Sequence, residues 1–280
     1  MVASRQFMRS LALSIGIAVA PLPAQTFHNF ESPLAHGLAL SPGGDRLFAV
    51  NAAAARLAVF SLADPRHPRL EREIDVALEP VAVAAHGDAE VAVVCWLSDC
   101  VQLVSLPHGN VVATIAVGDE PGDIVFAGEP ARAFVSVSGP REVTVIDPAS
   151  RVVVARVPVF CDAPRALCRS IAGDRVYVAA QRSGNGTTIA PAGTAPLPPT
   201  PDDDTLPSAP REGLIVRADD PAWRQLDVAL PDLDVFGLDA QTFAVVEQHA
   251  HVGTSLFDLA SDPRSGDLWV ANTEAHNLVR

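Results

Sequence analysis

The 280-residue chain is long enough to bury a substantial core, and it is 49% apolar but only 5% aromatic. Val and Ala dominate that apolar share, which suits many short strands better than a few large aromatic cores. A net charge of −13 excludes sequence-independent binding to nucleic acid, and the 20 basic residues are all Arg, which excludes Schiff-base chemistry and a GxxxxGKS/T phosphate loop.

At the N-terminus, Arg5 and Arg9 precede the apolar run from Leu11 to Ala20, and Leu22-Pro23-Ala24 follows as a small-residue cleavage site. This pattern predicts a secretory signal peptide over residues 1–24 and an exported product, periplasmic or extracellular. An apolar run of about ten residues is too short to cross a bilayer, which needs about 20. No later segment reads as transmembrane.

From residue 31 onward one pattern recurs: a short first strand, a Gly/Asp turn, then a second strand ending in a small or polar residue. The first strands begin at His36, Pro80, Pro121, Pro164 and Ser255, at spacings of 44, 41, 43 and 91 residues. The second strands, Leu47 to Asn51, Val91 to Cys95, Ala133 to Val137, Val176 to Ala180 and Leu268 to Asn272, keep step at 44, 42, 43 and 92. Third strands are expected at Leu57 to Leu62, Val101 to Leu106 and Val143 to Asp147, and fourth strands at Leu70 to Val76, Val111 to Val117 and Val152 to Val159. A period of about 40 to 45 residues with four strands is that of one β-propeller blade, and a flat β-sandwich seldom keeps so regular a repeat.

The expected fold is therefore all-β, a propeller with blades near 31–78, 79–119, 120–162 and 163–252 and a partial blade at 253–280. The fourth repeat is too long by roughly 49 residues. Its segment at about 183–232, with seven prolines between Pro191 and Pro210 and the acidic run Asp202-Asp203-Asp204, reads as an extended surface loop. About four and a half blades leave open sheet edges, so an incomplete ring is expected.

These residues resemble the bacterial YVTN-type β-propeller repeats, named for a Tyr-Val-Thr-Asn tetrapeptide ending the second strand. Here that slot holds Phe48-Ala49-Val50-Asn51, Tyr177-Val178-Ala179-Ala180 and Trp269-Val270-Ala271-Asn272. Val252-Gly253-Thr254-Ser255-Leu256-Phe257, followed by Ala271-Asn272-Thr273-Glu274-Ala275, is also similar to a larger subgroup of exported propellers, and the resemblance implies the N-terminal part of a longer propeller. Such relatives include surface-layer proteins, lactone hydrolases of similar fold and propellers fused to c-type cytochrome modules. The resemblance thus carries the fold and leaves the function open.

Candidate chemistry is sparse. The four cysteines form two local pairs. Cys95 and Cys100 flank a four-residue loop, so they can face each other at a hairpin mouth with Cα atoms about 5.5 Å apart. Cys161 and Cys168 straddle a crossing between blades, where a second disulfide and two free buried thiols are alternatives. Neither pair has zinc-ligand spacing, and His249 with His251 offers two ligands where a metal needs three or four, so no metal site is expected. There is no Gly-x-Ser-x-Gly elbow and no Cys-x-x-Cys-His haem signal. Asp123, Arg165 and Asp258 occupy equivalent or near-equivalent inner positions and are the candidates to line a central channel and bind a ligand. The functional expectation is a binding or scaffold module for a protein or cell-envelope partner, without a cofactor of its own. A lactonase-like metal-dependent hydrolase and the propeller part of a cytochrome-linked redox protein are the alternatives.

Overall fold

The computed structural model describes residues 34–190, 192–193, 200, 202–203, 205–207, 214–217 and 233–273. The expected signal peptide and the last residues of the fifth repeat lie outside them. Blade 1 is the antiparallel meander β1 (Leu38–Leu40), β2 (Arg46–Asn51), β3 (Arg56–Ser61) and β4 (Arg69–Asp75). Blade 2 follows as β5 (Pro80–His86), β6 (Glu90–Cys95), β7 (Cys100–Ser105) and β8 (Asn110–Ala116), and blade 3 as β9 (Pro121–Ala127), β10 (Arg132–Val137), β11 (Glu142–Asp147) and β12 (Val152–Pro158).

Blade 4 takes β13 (Asp162–Arg169) and β14 (Arg175–Arg182) from one side of the long segment, with β15 (Thr187–Ala190) and β16 (Leu214–Arg217) inside it. It completes with β17 (Val235–Asp239) and β18 (Val245–His249) from the other side, and β19 (Ser255–Ser261) with β20 (Leu268–Thr273) makes blade 5. The long segment is therefore more than the extended loop expected at about 183–232. β15 and β16 pair as an antiparallel hairpin, Thr187 opposite Arg217 and Ala190 opposite Leu214, because β-branched residues on both arms favour a ladder over coil. Buried Asp234 holds the base of this excursion: it accepts the Ser183 hydroxyl and the backbone N–H groups of Val252 at 2.5 Å and Gly253 at 3.3 Å.

The turn after a first strand is specified locally. In Ser41-Pro42-Gly43-Gly44-Asp45-Arg46 and again in Ser170-Ile171-Ala172-Gly173-Asp174-Arg175, the Ser hydroxyl donates to the Asp carboxylate at 2.7 Å and accepts the Arg N–H at 3.0 and 3.1 Å. Gly44 and Gly173 take φ of 70° and 72°, a region a side chain would strain.

Each strand's period of two sorts its side chains between two neighbouring blades. Val83, Val91, Val93 and Cys95 of blade 2 pack on Phe48, Leu57, Val59 and Ile74 of blade 1. On the other face, Ala82, Ala92, Val94 and Leu103 meet Ile124, Ala133, Val135 and Val137 of blade 3. Phe134, Val143 and Val145 then meet Leu167, Val176, Val178 and Phe236 of blade 4, and Ala166 and Ala179 meet Leu256 and Leu259 of blade 5. Four such interfaces in series, with the first strands β1, β5, β9, β13 and β19 packed one on the next, define an arc of blades around an axis. The arc is not closed: among the described residues no strand pairing joins blade 5 to blade 1.

Candidate functional site

The five first strands surround an axial channel of about 580 Å³. Its wall is mostly apolar, with Leu38 and Leu40 of blade 1, Val83 of blade 2, Ile124 and Phe126 of blade 3, Leu167 of blade 4 and Leu259 of blade 5. His36 lies at one end of the wall, and Arg169 with Ser261 toward the other.

His36 precedes β1 and reaches across the axis. Its Nδ1 is 2.7 Å from Oδ2 of Asp123 on β9, and its Nε2 is 3.2 Å from Oδ1 of Asp258 on β19. One imidazole thereby joins blades 1, 3 and 5. The hydrogen bond to Asp123, helped by the charges of Asp123 and Asp258, holds the imidazolium and lifts His36 to about 9. Asp123 is fully buried. Its carboxylate also accepts the backbone N–H of Ile124 at 2.8 Å and that of Leu167, on blade 4, at 2.7 Å. Burial pushes the Asp123 carboxyl upward, opposed by His36 and the two N–H donors. Asp258 repeats the local part of this pattern, accepting the N–H of Leu259 at 2.8 Å, but its side chain is half exposed.

Arg165, expected in the channel lining, lies on the inner strand β13 of blade 4. It is 5% exposed, with its guanidinium carbon 5.2 Å from the centre of the Trp96 ring and its carbonyl accepting the Ser136 hydroxyl at 2.5 Å. The strand alternation that faces Leu167 toward blade 3 carries Arg165 onto Trp96, which a single 3-10 turn, Trp96–Ser98, presents between β6 and β7. Burial lowers the Arg165 pKa, and the charges of Asp123, Glu120 and Glu79 oppose that shift. Glu79 and Glu120, with φ of 55° and 59°, kink the chain into Pro80 and Pro121 at the entrance to each inner strand.

Cys168 Sγ lies 3.1 Å from Ser261 Oγ, whose hydroxyl donates to the Arg169 carbonyl at 2.8 Å. Burial raises the Cys168 thiol, and it raises Cys161 to about 12, so both stay protonated at neutral pH. Of the two alternatives for Cys161 and Cys168, the structure has them as free buried thiols. β13 runs between them, and an extended strand of that length separates its ends by roughly 20 Å. Cys161 sits in the interface of blades 3 and 4, Cys168 in that of blades 4 and 5. Cys95 and Cys100, by contrast, are register partners on β6 and β7, both buried and both thiols. Among the described residues no group of three or more His, Cys, Asp or Glu is placed to hold a metal ion, and His249 is drawn to Glu247 at 3.6 Å.

Asp123 and Asp258 were legible as inner-strand residues, and the structure brings them together. His36 and Trp96 were not singled out by sequence. His36 stands 87 residues from Asp123, and no local spacing signals such a contact.

No family model and no curated protein matches the chain. Among solved structures, it is similar to a chain of "Kuenenia stuttgartiensis Hydrazine Synthase", with a TM-score of 0.50 and 17% identity over 89% of this chain and 95% of that one. At that identity the likeness shows the fold alone.

Proposed function

We propose that this chain is an exported, non-catalytic binding module that holds a protein or cell-envelope partner at the mouth of its axial channel. The observation that carries the reading is the state of the channel's polar groups. Asp123 spends its carboxylate on two backbone N–H groups and His36. His36 is held as an imidazolium between two carboxylates, so it has no free lone pair with which to act as a base. Ser261 donates to a carbonyl, and Cys168 is kept a thiol by burial. Beside the half-exposed Asp258 and the exposed Arg169, what remains accessible is largely apolar wall: Leu38 and Leu40 are 62% and 57% exposed. Such a surface suits recognition better than bond-breaking. Export is supported by Arg5, Arg9 and the apolar run Leu11 to Ala20.

Site-specific photo-crosslinking tests this. A photoreactive phenylalanine analogue replacing Phe126 should give one discrete adduct in envelope extracts, competed by unlabelled protein and absent when the probe sits at exposed Glu73 on the outer strand β4. No adduct above that control, together with a stoichiometric divalent ion and turnover of a lactone, would instead establish the hydrolase reading.

A further inference from the structure

We propose that Cys95 and Cys100 are a built-in cross-strand disulfide site, closed by thiol–disulfide exchange with a small organic disulfide, that fixes the turn presenting Trp96 to Arg165. The argument starts from register. Cys95 ends β6 and Cys100 begins β7, and the two are directly opposed in the ladder. Opposed antiparallel residues have Cα atoms about 4.5 or 5.5 Å apart, and both values fall inside the window of about 4.4 to 6.8 Å that a disulfide needs. Buried side by side, the two thiols perturb each other, which raises Cys95 and lowers Cys100. No other pairing competes, since Cys161 and Cys168 lie in different blade interfaces.

The chain between the two sulfurs is the 3-10 turn Trp96–Ser98 and Asp99, which is left-handed at φ 53°. The Trp96 N–H donates to the Glu79 carbonyl at 2.9 Å, and the Asp99 carbonyl accepts Val117 N–H at 3.0 Å. A bond between Cys95 and Cys100 closes this loop covalently and limits how far Trp96 moves from the Arg165 guanidinium. With Cys100 as the attacking thiolate, one thiolate is displaced from the organic disulfide and a mixed disulfide forms; the roles of the two cysteines can be exchanged. Cys95 then gives up its proton and attacks Cys100 Sγ, expelling the second thiolate. Two protein thiols and one organic disulfide become one protein disulfide and two organic thiols. Both cysteines are buried in the folded molecule, so exchange occurs before blade 2 packs against blade 1.

The test is refolding of the whole chain in a buffer of oxidised and reduced glutathione, then alkylation under denaturing conditions without reductant and peptide mapping. Cys161 and Cys168 should be alkylated in full, while Cys95 and Cys100 are recovered as one linked peptide two hydrogens lighter. Amide exchange at Trp96 to Asp99 should slow by about tenfold or more relative to the reduced protein. In Cys95→Ser, Cys100 should become alkylated or carry glutathione. Alkylation of Cys95 and Cys100 to the same extent as Cys161, or linkage of either to Cys161 or Cys168, would overturn the proposal. The comparison of oxidised with reduced wild type decides it even where the variant fails to fold.

Discussion

His36 does the structural work of a pin. Its imidazolium meets Asp123 and Asp258, so one side chain ties the first blade to the third and fifth. Because its folded pKa, about 9, lies above the ordinary 6.5, its contribution to stability is complete below about pH 6.5 and is lost as pH rises through 9. His36→Ala should therefore cost roughly 2–4 kcal/mol at pH 6, since Asp123 stays buried with its charge only partly compensated, and the gap between variant and wild type should narrow by pH 10. Urea unfolding at the two pH values checks both sign and size. Asp123→Asn should be no milder at neutral pH, because an amide has one acceptor oxygen and cannot serve Ile124 N–H on one side and Leu167 N–H with His36 on the other, as the two carboxylate oxygens do.

At the scale of the strand, burial decides which substitutions matter. Phe134 on β10 is wholly buried between blades 3 and 4 and meets the Phe243 ring edge-on at 5.8 Å. Phe134→Ala should cost about 3–5 kcal/mol, whereas Val152→Ala on the outer strand β12, where Val152 is half exposed, should stay within roughly 0.5–1 kcal/mol. Equilibrium denaturation separates the two. The inner and middle strands were legible because both faces of each are apolar, as in Val91-Ala92-Val93-Val94, and the Gly/Asp turns between them have their own chemistry. The hairpin of β15 and β16 was not, since the prolines and aspartates between its arms masked two short β-branched runs. The surroundings of Arg165 were hidden for a related reason: periodicity assigned it to an inner strand but could not say that an aromatic ring from blade 2, two blades away, would cover it.

For the molecule as a whole, the chain is a series of interfaces in which each of blades 2, 3 and 4 supplies half of two cores and blades 1 and 5 half of one each. Stability should then add along the series. Phe48→Ala between blades 1 and 2 and Phe134→Ala between blades 3 and 4 share no partner, so their double variant should lose the sum of the single losses to within about 0.5 kcal/mol. Coupling well beyond that would mean the blades form one undivided core. The fold was readable from sequence because its period is carried in every repeat. The axial site was readable only in part, because Asp123 and Asp258 sit at near-equivalent positions of two repeats, whereas His36 has Pro or Ser at the matching positions of the other repeats and gains its role only when distant blades converge.

The most direct test of that convergence is the titration of His36 followed by nuclear magnetic resonance of its ring protons. If blades 1, 3 and 5 meet at one axis, the imidazole titrates near 9. An ordinary titration near 6.5 would show that Asp123 and Asp258 do not reach it, and the radial arrangement described above would be contradicted.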